Sequence, residues 1–284
     1  MESDGLRIAR ELTKAKAKSF YFASNVLRKE DKEAAYAVYA FCRRCDDAVD
    51  GVEKSVALRS LASLDETVES VFGGKPLQDP VFALFQQIAL SRSIPKKAVH
   101  GLLEGMRHDV ESRKILSWRD FEHYCYLVAG TVGEMMAAVF GAPSYALPAA
   151  SSLGQAMQMT NILRDVAEDL RWLGRVYLPE EALDQYGMGR ADLLRWSTQE
   201  RLWGERAERF RLLAGEISER AKGSYEGAED GIVHIPHPSA RSCVRLMRSS
   251  YREILFVIEE SKFDVFEARR VVPTWRKVTA ALRF

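Results

Sequence analysis

Residues 124–143, "YCYLVAGTVGEMMAAVFGAP", are almost wholly apolar and close to membrane-spanning length. Glu134 lies at the middle of the run, with Gly130 and Gly133 just before it. A charge at that depth opposes insertion by a few kcal/mol, about +2.5 to +3.5 for Asp on insertion scales. A helix that is apolar all round can instead be the core helix of a large bundle. A core helix is the expectation here, and it requires other helices to surround it.

The remainder of the chain supplies them. Ala, Leu, Glu, Arg and Lys recur with a spacing near 3.6, and clean strand alternation is scarce. Breakers separate segments of helix length: "GGKPLQDP" (73–80), "SIPKK" (93–97), "GAPSYALP" (141–148), "YLPEEAL" (177–183) and "HIPHPSA" (234–240). Residues 201–230 read as a long amphipathic helix fading into a polar loop. Residues 239–261 read as another helix, with Ser239 as its cap. There is no repeat of fixed period, and no break is long enough to be a domain linker. The expected architecture is one all-α domain over residues 1–284.

A formal net charge of +1 gives no support to a general nucleic-acid binder. The four cysteines, Cys42, Cys45, Cys125 and Cys243, make no disulfide scaffold, and the N-terminal residues lack the apolar core of a signal peptide. A reducing cytoplasm is the expected compartment. Cys42 and Cys45 form a CxxC, but zinc would need two further ligands, so packing is the plainer reading. His234 and His237, flanking Pro236, are expected to be structural.

"EDKEAAYAVYAFCRRCDDAVDG" (30–51) is helical, with acid at its start and Gly51 past its end. Residues three and four apart share a face, so Tyr39, Arg43, Asp46 and Asp50 form one stripe, with Asp47 beside Arg43. Two readings stand at this point. The stripe is either a solvated face neutralised by Arg43 and Arg44, or a site where Asp46 and Asp50 hold Mg²⁺ and Arg43 grips a phosphate.

A second stripe changes the balance. Gln158, Asn161, Asp165 and Asp169 fall at steps of three, four and four, again on one face of one helix, with Arg164 next to them. Two such rows facing one another would form a strongly negative rim, costly unless divalent cations fill it. A phosphate-rich ligand would complete the coordination. No Walker lysine motif and no GxGxxG appears, so a nucleotide is not the obvious phosphate carrier. An apolar cavity among helices suits a hydrocarbon tail better.

The chain resembles the squalene/phytoene synthase family, all-α enzymes that join two isoprenoid diphosphates head to head. The resemblance rests on "KSFYFAS" (18–24), "YAVYAFCRRCDDAVD" (36–50), "YCYLVAGTVGEM" (124–135) and "QMTNILRDVAEDLRWLGRVYLP" (158–179). It implies an isoprenoid-synthase-type bundle around a central apolar cavity. It implies Asp46 and Asp50 as one metal-binding pair and Asn161, Asp165 and Asp169 as another set, with Mg²⁺, or Mn²⁺, as the metal. Arg43 and Arg164 become diphosphate contacts, with Asp47, Ser19 and Gln158 beside them. Phe20, Tyr39, Tyr124 and Tyr177 would border the reacting carbons, Tyr251 would contribute from the C-terminal helix, and Val128, Ala129 and Gly133 would flank the cavity. Asp46, Asp50, Asp165, Asp169, Tyr39 and Arg43 are the catalytic candidates.

The implied product is phytoene, from two geranylgeranyl diphosphates. Ser24, small and one turn from Phe20, is expected to leave room for the longer tail. Farnesyl-using relatives that make presqualene diphosphate, dehydrosqualene or squalene share these motifs. Reduction to squalene needs NADPH, which is not expected without a dinucleotide signature. "DDAVD" also satisfies the DDxxD of head-to-tail synthases and cyclases, but Asp165 and Asp169 fit neither of their second motifs. A non-catalytic scaffold of the same fold would tend to lose aspartates, and every expected one is present. Lipid-soluble substrates imply transient contact with the inner face of a membrane. The basic residues 267–284, with Trp275 and Phe284, are either a membrane-facing element or a packed final helix. Oligomeric state is left open.

Overall fold

The structure, a computed structural model, describes residues 3–198, 204–273 and Arg276, and no strand occurs among them. The order is α1 (Asp4–Lys16), α2 (Lys18–Ala23), α3 (Lys29–Asp47), α4 (Lys54–Phe72), α5 (Pro80–Ser91), α6 (Lys96–Val110), α7 (Trp118–Cys125), α8 (Thr131–Val139) and α9 (Leu147–Glu168). Then follow α10 (Glu180–Gln185), α11 (Arg190–Thr198), α12 (Gly204–Gly227), α13 (Glu229–Ile232) and α14 (Pro238–Glu260).

Local chemistry sets several boundaries. Asp79 caps α5 by accepting from the backbone N–H groups of Val81 and Phe82 at 2.7 and 3.2 Å, with Pro80 already in the first turn. Ser117 and Asp120 form a reciprocal capping box on α7. Gly51, Gly141 and Gly174 follow helical segments in the left-handed conformation, which spares the Cβ penalty at the stop. The cap of α14 is His237, not Ser239: its Nδ1 accepts from the Ser239 N–H at 3.2 Å. The polar loop expected near residue 228 is instead a break at buried Ala228 followed by α13.

Apolar burial gathers around two main centres. One joins α3 to α6 and α8, with Phe41 stacked on Phe85 at 3.9 Å. The other surrounds α9 and α12, with Phe210, Leu213 and Ile217 wholly buried. Residues 124–140 form a core segment, as expected, and no helix among the described residues is long and apolar enough to cross a membrane. Glu134 is half-buried, takes a hydrogen bond from Tyr126 and feels the charge of Lys97. The segment is not uniformly α-helical: residues Tyr126–Gly130 form a π turn, and a second π turn, Asp169–Leu173, follows α9. Such wider turns re-aim side chains and recur at functional positions.

Candidate active site

Where the two core centres meet, an apolar cavity opens. Its wall takes Val38, Met136 and Cys243 from one centre and Leu153, Met157 and Ala228 from the other. Val128, Ala129 and Gly133 line it as expected, with Phe20, Tyr39 and Tyr251. Gln158 and Asn161 mark its polar end. From Asn161 back to Ala146 the lining follows α9 for about 22 Å at the helical rise. Ser19, with Lys16 and Lys18, borders an opening that shares Phe20, Tyr39, Met247 and Tyr251 with this cavity.

Ser24 departs from the expectation. It is wholly buried, donates to or accepts from the Tyr36 hydroxyl at 2.8 Å, and does not line the cavity. Phe20, which does line the cavity, stands edge-on to Tyr36. Tyr124 and Tyr177 also lie outside the apolar lining. Their rings stack at 5.0 Å and 17°, and the Tyr124 hydroxyl donates to Asp109 Oδ2 at 3.1 Å. Burial and the Asp109 charge push both phenols far above their ordinary range. Trp275 and Phe284 lie outside the described residues.

The acidic rows are built on α3 and α9. α3 ends at Asp47, but the Asp50 N–H still bonds the Asp46 carbonyl at 2.9 Å, which keeps Asp50 one turn from Asp46. Burial first, then the charge of Asp50, pushes the Asp46 carboxyl up to about 6, with Arg43 opposing. Burial likewise raises Asp50, against Arg175 and Arg43. On the other row, burial and then the charges of Asp165 and Asp109 push Asp169 up to about 7. Asp109 acts on Asp46, Asp50 and Asp169 alike, and Arg175 acts on Asp50 and Asp169. Asp109 and Arg175 are therefore within electrostatic reach of residues on both rows.

The remaining polar residues divide by partner. Arg43 donates to Asp47. Arg164 Nε donates to Asp165 Oδ1 at 2.8 Å, and Arg269 donates to both Asp165 oxygens at 2.9 and 3.2 Å. Arg269 also approaches Glu168 at 3.5 Å. The buried Asn161 Oδ1 has no hydrogen-bond partner although its own amide reaches Gln158 Oε1 at 3.5 Å. A buried acceptor without a donor costs free energy, and a cation would satisfy it. Among the described residues no three His, Cys, Asp or Glu side chains gather closely enough to hold a metal by themselves. A hard cation here would complete its shell with the Asn161 oxygen, water and phosphate.

Sequence reading missed Asp109 and Arg269, and gave Arg175 no role. Asp109 stands alone in "GMRHDV", with no acidic partner at helical spacing, and Arg269 lies beyond the quoted motifs. All four cysteines are free, in keeping with packing roles. His234 meets Tyr145 and His237 caps α14, so both histidines serve structure.

The squalene/phytoene synthase family model matches residues 13–277. The chain is 36% identical to phytoene synthase of Arthrospira platensis over 97% of its own length and 91% of that protein. It is 36% identical to 15-cis-phytoene synthase of Synechococcus elongatus, with the same shares covered. A crystal structure of a dehydrosqualene synthase in complex with ligand superposes with a TM-score of 0.87 at 29% identity, covering 98% of this chain and 94% of that one. The two acidic rows, the cavity between helices and these likenesses agree: the chain belongs to the squalene/phytoene synthase family, prenyltransferases of head-to-head condensation.

Proposed function

We propose that this chain, acting as one domain, condenses two molecules of geranylgeranyl diphosphate to phytoene through a cyclopropyl diphosphate intermediate. The observation that carries the reading is the length of the apolar cavity along α9. It extends about 22 Å from Asn161 to Ala146. A twenty-carbon tail has sixteen main-chain carbons, which at roughly 1.2 Å per bond span roughly 19 Å. Ser24 is not in the wall and sets no limit on the tail.

Enzymes of this family typically use Mg²⁺. The unsatisfied Asn161 oxygen and the raised carboxyls of Asp46, Asp50 and Asp169 fit such a cation. Asp46 and Asp50 on one side, and Asn161, Asp165 and Asp169 on the other, would hold it. Bound Mg²⁺ supplies neutralisation of the departing diphosphate. For Asp165 to take part, Arg164 and Arg269 each give up an oxygen to it.

Arg43 and Arg164 hold the diphosphate while the allylic C–O bond ionises, with the site's fixed charges favouring the separated state. Gln158 orients the head, and Ser19 receives the second substrate at the opening. Val128, Ala129 and Gly133 allow the tail to lie against the helix backbone and keep water away. The cavity holds the second double bond close to the cation, so attack is effectively intramolecular. Phe20 and Tyr39 turn ring faces toward the cationic carbons. A second ionisation and rearrangement of the cyclopropyl diphosphate then give the linear hydrocarbon. Such a product partitions into lipid, so the working protein touches a membrane surface transiently.

Incubation with geranylgeranyl or farnesyl diphosphate, in Mg²⁺ and in EDTA, tests the reading. A phosphate-free C40 hydrocarbon formed only with metal is expected. A C30 hydrocarbon would align the specificity with that of the dehydrosqualene synthase it resembles. A protein that consumes neither substrate is a scaffold, and the proposal fails.

A further inference from the structure

Asp109 occupies a position that electrostatics alone would not choose. It lies in the last turn of α6, where the helix carbonyls already present partial negative charge. Its carboxylate also adds to the repulsion on Asp46, Asp50 and Asp169. Its side chain is only 21% exposed, so water screens little of this.

What it touches accounts for its presence. Asp109 Oδ2 accepts from the Tyr124 hydroxyl at 3.1 Å and lies 3.6 Å from Arg175 Nη1. That same Nη1 donates to the Tyr177 hydroxyl at 3.3 Å, and Tyr177 stacks on Tyr124. The four side chains come from the end of α6, from α7 and from the stretch after the second π turn, and they close into one unit. Tyr124 needs only an acceptor, which a neutral amide oxygen would provide. The negative charge serves Arg175, since Tyr124 needs none and His108 Nδ1 stands farther off, 3.9 Å from Oδ1. Arg175 in turn is a cation that acts on both acidic rows.

We propose that Asp109 is a positioning residue for the condensation: it anchors Arg175 against the Tyr124–Tyr177 pair, so that the guanidinium stands between the two acidic rows and meets the departing diphosphate. The inference rests on the functional reading above. When cations neutralise the rows, the attraction of Asp50 and Asp169 for Arg175 falls away. Asp109 then is the carboxylate that keeps the guanidinium aimed. The contact matters most as negative charge develops on the leaving group, so it acts on turnover more than on binding.

The test uses Asp109→Asn in the full chain. The amide still accepts from Tyr124 but no longer holds the Arg175 charge. Steady-state kinetics with geranylgeranyl and farnesyl diphosphate at saturating Mg²⁺ are measured beside thermal melting in EDTA. The expected result is a kcat lowered about 10- to 100-fold with KM nearly unchanged. The melting temperature in EDTA should equal or exceed that of the wild type, because a repulsive charge has been removed. Asp109→Glu should recover part of kcat. A variant with wild-type kcat overturns the proposal, and so does a loss of activity that follows a lowered melting temperature. A wild type inert toward both substrates overturns the functional reading and this inference together, whereas an active wild type with an unimpaired Asp109→Asn overturns the inference alone.

Discussion

Gly154 on α9 lies so close to Ala129 that a Cβ at position 154 would sit 2.1 Å from the Ala129 carbonyl oxygen. Gly133 repeats the relationship in the opposite sense, with its Cβ position 2.2 Å from the carbonyl oxygen of Ala150. The two approaches lock the segment carrying Val128 and Ala129 onto the helix carrying Gln158, Asn161 and Asp165. The spacing of the cavity wall is therefore fixed by backbone contact rather than by side chains that can yield.

Gly154→Ala should consequently destabilise the fold by about 3 kcal/mol, at the upper end of ordinary overpacking, because a carbonyl cannot move aside as a side-chain tip can. Gly223→Ala on α12, where nothing lies within 4 Å of the added Cβ, should instead stabilise by about 0.5–1 kcal/mol. Urea unfolding of both variants against the wild type checks the pair.

Asp46 and Asp169 are raised to about 6 and about 7, in both cases by burial first and like charge second. Each therefore holds its proton more tightly folded than unfolded, where carboxyls titrate near 3.9. The stability they contribute is fully present below about pH 4 and is lost as pH rises through about 6 to 7. In EDTA these groups should make the protein melt at a higher temperature at pH 5.5 than at pH 8, and Mg²⁺ should recover more at pH 8. Binding of Mg²⁺ at pH 6.5 should release protons, and at pH 8.5 almost none. Calorimetry in buffers of different ionisation heat measures that release.

Ala150 lies eleven residues before Asn161 on α9, roughly 16 Å along the cavity. A fifteen-carbon tail, with twelve main-chain carbons, spans roughly 14 Å and ends short of it, whereas a twenty-carbon tail passes it. Ala150→Phe should therefore lower kcat/KM for geranylgeranyl diphosphate about 10- to 100-fold relative to farnesyl diphosphate, a loss of roughly 1.4–2.7 kcal/mol in transition-state binding. Competition between the two substrates, read by product mass, shows the shift.

The 3.6-residue period puts Asp46 with Asp50 and Asp165 with Asp169 one turn apart, although Asp50 lies just past α3 and Asp169 opens the second π turn. The core character of residues 124–143 was legible from one charge, Glu134, in an apolar run. Ser24 departs for a physical reason: spacing places it one turn from Phe20 but cannot say that its hydroxyl turns to the Tyr21 carbonyl and the Tyr36 hydroxyl instead of the cavity. Asp109 was illegible because its partners, Tyr124, Arg175 and Tyr177, come from distant segments. His237 displaced Ser239 as the α14 cap because an unprotonated imidazole nitrogen can accept the N–H that a hydroxyl ordinarily takes. The π turns have no sequence period of their own and show only in the fold.

The central claim is that the α3 and α9 rows hold divalent metal against one diphosphate at the polar end of the cavity. The most direct measurement is anomalous scattering from crystals grown with Mn²⁺ and a non-ionising geranylgeranyl thiodiphosphate. The account predicts Mn²⁺ peaks beside Asp46 and Asp50 and beside Asn161, Asp165 and Asp169, with the diphosphate between them and the tail running toward Ala146. Mn²⁺ bound elsewhere, or a diphosphate seated away from both rows, would contradict it.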